Sequence, residues 1–129
     1  MDADRRHGPR SIGDRAEERA LTHLEQAGLR LVERNFRCRS GEIDLIMREG
    51  SAFVFVEVRL RRQGRFGTAV ESIDTRKLRK IRSAAAFWLR RSGNGSAHSR
   101  IDAVTLDGSD SRTARIDWLR GIDDPGADW

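Results

Sequence analysis

An α/β domain, with helices packed against one mixed sheet, is the fold class the sequence predicts. Three observations predict it. Apolar residues recur at helical spacing in two separate stretches, short strand-like segments lie between and after them, and glycine-containing turns mark the joins. The 129 residues leave room for one hydrophobic core and not two. Helices and strands are therefore expected to share one layered domain over residues 12–120. A disordered polar tail is expected at 1–11 and a loose acidic tail at 121–129.

From Ile12 to Ala27, the positions Ala16, Ala20, Leu21, Leu24 and Ala27 trace one face of a helix, and Gly28 is placed to end it as a left-handed cap. Leu29 to Cys38 reads as a strand with imperfect alternation, which predicts a bulge or bend near Arg34-Asn35. After a turn at Ser40-Gly41 come two clearer strands, Glu42–Glu49 and Ala52–Arg61. They are joined by Gly50-Ser51, the pattern of a type II′ hairpin. A glycine-containing loop covers 62–73. Leu78, Ile81, Ala85 and Trp88 then step by three and four residues, predicting a helix over 75–91 with Lys77, Lys80 and Arg91 on another side. The run Ser92-Gly93-Asn94-Gly95-Ser96 breaks the chain. Arg100–Leu106 and Arg115–Leu119 read as two further strands around a polar turn. No internal repeat or low-complexity tract is present.

Composition narrows the function classes. Hydrophobic residues make up 37% and charged residues 35%, and no apolar run approaches the roughly 20 residues of a membrane span, so no membrane partner is expected. The opening segment MDADRRHGPR has no apolar stretch behind it and does not read as a signal peptide. A single cysteine, Cys38, rules out an intramolecular disulfide framework and fits a reducing cytoplasm. His7, His23 and His98 lie far apart, so zinc is not expected. Charge is unevenly spread: residues 59–91 hold eleven Lys/Arg and two acids, a local net of +9 in a chain of +5, so the remainder carries −4. Such a segment either faces a polyanion or forms a solvated helix face.

The hairpin carries the chemistry. With Gly50-Ser51 as its loop, Leu45 faces Val56, Met47 faces Val54 and Ile43 faces Val58, which makes one face core. On the other face Ile46 meets Phe55, Asp44 meets Glu57 and Glu42 meets Arg59. Two carboxylates rooted about 5 Å apart repel each other, and apolar surroundings add a desolvation cost. A hard divalent cation such as Mg²⁺ or Mn²⁺ relieves both. Arginines are the competing explanation, since Arg59, Arg37 or Arg61 could neutralise the pair. A one-residue slip would separate the two acids.

These residues also carry a resemblance. The chain resembles the YraN-like proteins, a small bacterial group similar to a branch of the PD-(D/E)xK nuclease superfamily and to Holliday-junction resolvases. The likeness covers about residues 12–119: Gly13-x-x-x-Glu17-x-x-Ala20-x-x-x-Leu24, Gly28, Glu33-Arg34-Asn35-Phe36-Arg37, Gly41-Glu42-Ile43-Asp44-Leu45-Ile46, Phe55-Val56-Glu57-Val58-Arg59-x-Arg61, Phe66-Gly67, Lys77 and Arg100-Ile101-Asp102. The resemblance implies a restriction-endonuclease-like αβββαβ core. It implies Mg²⁺ or Mn²⁺ on Asp44 and Glu57, with Glu17 of the first helix completing the set. It further implies metal-dependent cleavage of DNA, branched or structured DNA included, and, by likeness to resolvases, a homodimer. One position departs: the Glu-x-Lys signature reads Glu57-Val58-Arg59. Arginine keeps the charge and can clamp a phosphate, but with a pKa above about 12 it cannot act as a base. The alternatives are a non-catalytic nucleic-acid-binding module on the same fold, or a protein-interaction domain.

Around this site, Arg61, Arg62, Arg65, Lys77 and Lys80 are the candidate contacts to nucleic-acid phosphates, giving affinity rather than sequence choice. Asp102 reads as structural, paired with Arg100, and Glu42 as the ion-pair partner of Arg59 or Arg37. Phe87 and Trp88 read as core packing, Glu18 as solvated and Cys38 as structural or incidental. Gly93-Asn94-Gly95-Ser96 follows a helix and lacks a Gly-Lys-Ser/Thr, so it is no phosphate loop.

Overall fold

The apolar spacing of the first stretch forms α1 (Ile12–Gln26), which buries Ala16, Ala20, Leu21 and Leu24. Two of those four are alanines, so the helix axis can lie close to the sheet. The structure, a computed structural model, describes residues 12–61 and 73–123. The tail 1–11, loop residues 62–72 with Arg62 and Arg65, and residues 124–129 lie outside the described residues. Gly28 ends α1 at φ 102. Leu29 N–H donates to Leu24 C=O at 3.1 Å and Gly28 N–H to Glu25 C=O at 3.0 Å, the paired bonds that close a helix on a left-handed glycine.

Among the described residues, five strands follow the predicted order around a second helix: β1 (Arg30–Cys38), β2 (Gly41–Glu49), β3 (Ala52–Arg61), α2 (Thr75–Arg91), β4 (Ser99–Asp107) and β5 (Arg115–Leu119). They form one sheet in the order β1-β2-β3-β4-β5. Its pairs are antiparallel except β3–β4, which is parallel and is connected through α2. A parallel pair needs such a crossover. The αβββαβ order expected of a restriction-endonuclease-like core is therefore present, with β5 as an added edge strand. At the hairpin, Gly50 has φ 62 while Ser51 does not enter positive φ, as a type II′ turn requires.

Both sheet faces are buried, whereas the sequence assigned core to one hairpin face only. Leu45, Met47, Val54, Val56, Val104 and Leu106 pack with Ala16, Ala20, Leu21 and Leu24 of α1. Ile46, Phe53, Phe55, Ile101 and Ala103 pack with Ile81, Ala84, Ala85, Trp88 and Leu89 of α2. Helices on both sides give three layers. Trp88 stands edge-on to Phe53 and Phe55, with ring centres 5.2 and 5.9 Å away, and donates to Glu33 Oε1 at 3.0 Å. It is core, as expected. Phe87 is 36% exposed and stacks on Phe36. Asp74 caps α2, its Oδ1 accepting from Lys77 N–H at 2.9 Å. A cap contributes about 1 kcal/mol, against about 1.5–3 kcal/mol for each large apolar side chain buried, so packing rather than capping fixes where α2 lies.

Gly41 lets α2 approach the hairpin. A methyl group there would stand 3.1 Å from the backbone oxygen of Lys80, so only glycine permits this contact without moving the helix. At the far edge, Gly121–Asp123, expected to open a loose tail, are held in place. Ile122 is buried and its N–H donates to Ile101 C=O at 2.8 Å, while Asp123 Oδ1 accepts from Ile101 N–H at 3.2 Å.

Candidate functional site

The β2–β3 ladder runs from Glu49–Ala52 to Leu45–Val56. The next expected rung, Asp44 opposite Glu57, is replaced by a side-chain bond: Val58 N–H donates to Asp44 Oδ2 at 2.8 Å. The cause lies partly on β1. Its register with β2 shifts between Leu31 and Glu33, and it then brings Arg34 opposite Leu45 and Phe36 opposite Ile43. Asn35 lies between those two rungs, level with Asp44, and is the one non-glycine residue at positive φ (52°) among the described residues. The bulge expected near Arg34-Asn35 is thus a register shift at Val32 followed by a left-handed Asn35. Side-chain alternation is interrupted on both strands. Leu45 packs under α1, while Ile43, two residues away, packs under α2 with Phe36, a correction to the shared face expected for Ile43 and Leu45.

The carboxylates come together where the ladder stops. Glu57 is 3% exposed, and its carboxyl is pushed up to about 7 by burial first and the Asp44 charge second, against the lowering effect of Lys77 and Arg59. Asp44 is also raised, mainly by burial, although it accepts the Val58 bond and feels Lys77 and Arg59. Glu17, on α1, is raised to about 7 by burial and then by Asp44, while Arg34 and a hydrogen bond from Asn35 pull the other way. Asp44 therefore acts electrostatically on acids in two layers, Glu57 on β3 and Glu17 on α1.

Cations approach Glu57 from two elements. Arg59 Nε lies 3.2 Å and Lys77 Nζ 3.6 Å from the same oxygen, Glu57 Oε2. Arg59 Nε is buried, and despite that distance its N–H is not aimed to form a hydrogen bond. The arginine explanation is thus partly realised, since Arg59 does sit against Glu57. It is not sufficient, because burial and Asp44 still outweigh both cations. Arg37 pairs with Glu42 instead, at 3.5 Å on the surface. A cleft of about 420 Å³ opens beside the pair, lined by Arg59, Asp74, Arg76, Lys77 and Lys80.

The structure thus brings Asp44, Glu57 and Arg59 together, with Glu17 coupled through Asp44. Lys80 lies on the cleft wall, and Arg61 stands two residues beyond Arg59 at the end of β3. Two contributors were not singled out by sequence for these roles. Lys77 was assigned to a phosphate-binding surface but contacts Glu57, and Asn35 bonds Glu17 from its left-handed position. An asparagine beside a predicted bulge is the signal that could have identified the second. Glu18, read as solvated, forms an ion pair with Arg34 at 2.8 Å.

The donor set suits a hard divalent ion. Two or three carboxylates whose ionisation is disfavoured by burial and mutual repulsion are what such an ion relieves, and Mg²⁺ typically uses one or two carboxylates plus waters and phosphate oxygens. Among the described residues no three His, Cys, Asp or Glu side chains form a ready-made ligand cluster. The fit is therefore to a site on Asp44 and Glu57 that draws on Glu17, rather than to a closed cage. Also among the described residues, no helix is long and apolar enough to cross a membrane.

Comparison with known proteins places this architecture. The model of "Uncharacterised protein family UPF0102" matches residues 16–106, a span that includes Glu17, Asp44, Glu57, Arg59 and Lys77. A UPF0102 protein of Marinomonas sp. (strain MWYL1) is 43% identical over 120 residues, covering 92% of this chain and 93% of its own. A UPF0102 protein of Alkalilimnicola ehrlichii is 51% identical over 109 residues, covering 84% and 82%. One of Pseudomonas fluorescens is 45% identical over 113 residues, covering 87% and 92%. With the three-layer core and the GEIDLI and FVEV segments in place, the chain belongs to family UPF0102, the YraN-like branch of the PD-(D/E)xK superfamily.

Proposed function

We propose that the protein is a metal-dependent endonuclease that hydrolyses DNA phosphodiesters, branched or structured DNA being the preferred class. The observation that carries this reading is buried Glu57 set against the charge of half-buried Asp44, raised to about 7 although Arg59 and Lys77, both on the wall of a cation-lined cleft, touch it. Evenly balanced ion pairs would hold a glutamate low. Strong perturbation in a cleft is where catalytic or ligand groups concentrate.

Asp44 and Glu57 would hold Mg²⁺ or Mn²⁺, with Glu17 assisting from α1. The bound ion supplies positive charge for the pentavalent transition state and lowers the pKa of a nearby water. Arg59 reaches the scissile phosphate with a guanidinium that is fixed at one end against Glu57. Arg76 and Lys80 on the cleft wall, with Arg61, Arg62 and Arg65, supply salt-sensitive contacts to flanking phosphates. In the reaction, a water oxygen bonds to phosphorus and one P–O ester bond breaks. The water's proton passes to solvent and the leaving oxygen takes one, giving a phosphomonoester and a hydroxyl. Two copies of the chain would serve the paired strands of a branched substrate.

A second reading is favoured by one residue. Arg59 in place of lysine cannot accept a proton, so the fold could instead serve as a nucleic-acid-binding module that does not cut. Assays on branched and linear DNA with Mg²⁺ or Mn²⁺ separate the two. Cleavage by wild type that is lost in Asp44→Asn and in Glu57→Ala supports the nuclease. Cleavage that persists in either variant removes these acids from the mechanism. Salt-sensitive binding without cleavage leaves the module, and no binding at low salt points to a protein partner.

A further inference from the structure

We infer that Lys77, from the first turn of α2, supplies the lysine that the Glu57-Val58-Arg59 strand lacks, placing its ammonium on Glu57 and on the phosphate undergoing attack. The inference rests on the nuclease reading and assigns a residue within it.

Geometry is the first support. Lys77 Nζ and Arg59 Nε contact the same oxygen, Glu57 Oε2, but from different elements: Arg59 from the strand that carries Glu57, Lys77 from across the cleft. A Glu-x-Lys strand would deliver its lysine to that oxygen from Arg59's position. Here the ammonium reaches the same place from the helix.

The backbone of Lys77 is fixed for this role. Its N–H donates to the Asp74 cap at 2.9 Å, and α2 is held against the sheet by Ile81, Trp88 and Leu89 and against the hairpin by the close approach of Gly41 to Lys80. The side chain beyond is 30% exposed and lines the cleft. Its head is thus open to a ligand while one contact holds it on Glu57. An ammonium has three donors that rotate freely, so it can keep Glu57 and still donate to a phosphoryl oxygen and a water. Arginine's donors are fixed in a plane, so with Nε against Glu57 its two terminal nitrogens can clamp a phosphate but cannot turn to follow the attacking water. Arg59 remains a phosphate clamp, and Lys77 follows the transition-state charge.

The test uses the full chain with Lys77→Met, Lys77→Gln and the double variant Arg59→Lys/Lys77→Met. Single-turnover cleavage with Mg²⁺ should fall by about 10²–10³ in both single variants, the usual loss when one preorganised donor to the transition state is removed. The double variant should recover about tenfold or more, because it restores a lysine at the usual strand position. A second readout needs no cleavage. Calorimetric Mn²⁺ titration of the DNA-free protein should show several-fold tighter binding in Lys77→Met and Lys77→Gln, since a cation that opposes metal on Glu57 has been removed. Cleavage within about threefold of wild type, no recovery in the double variant, or unchanged Mn²⁺ affinity in both single variants would each overturn the inference. Mn²⁺ binding that responds to Lys77 without cleavage of any DNA would end the nuclease reading while upholding the contact. A wild type that binds no Mn²⁺ would end both.

Discussion

Glu57→Gln should make the metal-free protein more stable by about 2–3 kcal/mol at about pH 8, and leave its stability nearly unchanged near pH 4. The sign follows from the proton inventory. The carboxyl of Glu57 titrates near 4.5 in an unfolded chain and at about 7 in the fold. Between those values the folded state holds a proton that the unfolded state has released, so the wild type loses stability as pH rises through that window. Glutamine resembles the protonated form at every pH and escapes the loss. Glu17, raised to about 7 as well, adds a decline over the same window that the substitution leaves in place. Urea denaturation of both proteins across that pH range reads the effect. A variant less stable than wild type at every pH would show that Arg59 and Lys77 neutralise Glu57 fully and that the site is an ordinary buried ion pair.

Asp102→Ala should do the opposite, costing about 3–5 kcal/mol, as expected when one member of a buried charged network is removed. Asp102 is 0% exposed but well supplied with donors. Arg100 Nε donates to both its oxygens at 2.9 and 3.2 Å, Trp118 Nε1 to Oδ2 at 2.9 Å and Gly121 N–H to Oδ1 at 2.9 Å. Alanine would leave three half-buried donors without this acceptor and free the segment that follows β5. Arg100 would retain its pair with Glu49 at 2.7 Å. Urea midpoints should fall sharply, while Mn²⁺ affinity measured below the transition stays at the wild-type value. A loss below about 1 kcal/mol would mean the network is not cooperative, and a loss of metal affinity would place Asp102 in the site. The contrast separates two aspartates of different purpose: fully buried Asp102 has both oxygens supplied with donors, whereas half-buried Asp44 accepts from the Val58 amide and stands against the charge of Glu57.

Local patterns made most of the fold legible. Helical spacing located α1 and α2, Gly28 marked the end of α1, and Gly50-Ser51 fixed the hairpin, because each of these features is decided within a few residues. What escaped was decided by contacts across the chain. The burial of the hairpin's second face depends on α2 folding back over Ile46 and Phe55, which no local pattern encodes. Alternation placed Ile43 with Leu45, but the left-handed Asn35 on the neighbouring strand moves Ile43 to the other layer. The same break converts the expected Asp44–Glu57 rung into a bond from Asp44 to the Val58 amide. The acids themselves were legible, as charged residues inside an apolar strand pair. The source of the nearby ammonium was not, because Lys77 is twenty residues from Glu57 in sequence and reaches it only through the position of α2.

The central claim is that Asp44 and Glu57 form a carboxylate pair that a divalent ion relieves. Calorimetric titration of the DNA-free chain with Mn²⁺, wild type against Glu57→Ala, tests it most directly. The account predicts a saturable site in the wild type whose affinity climbs as pH rises through about 7, where protons no longer compete for the acids, and whose heat signal disappears in the variant. Equal binding in the two proteins, or binding in neither, would contradict it.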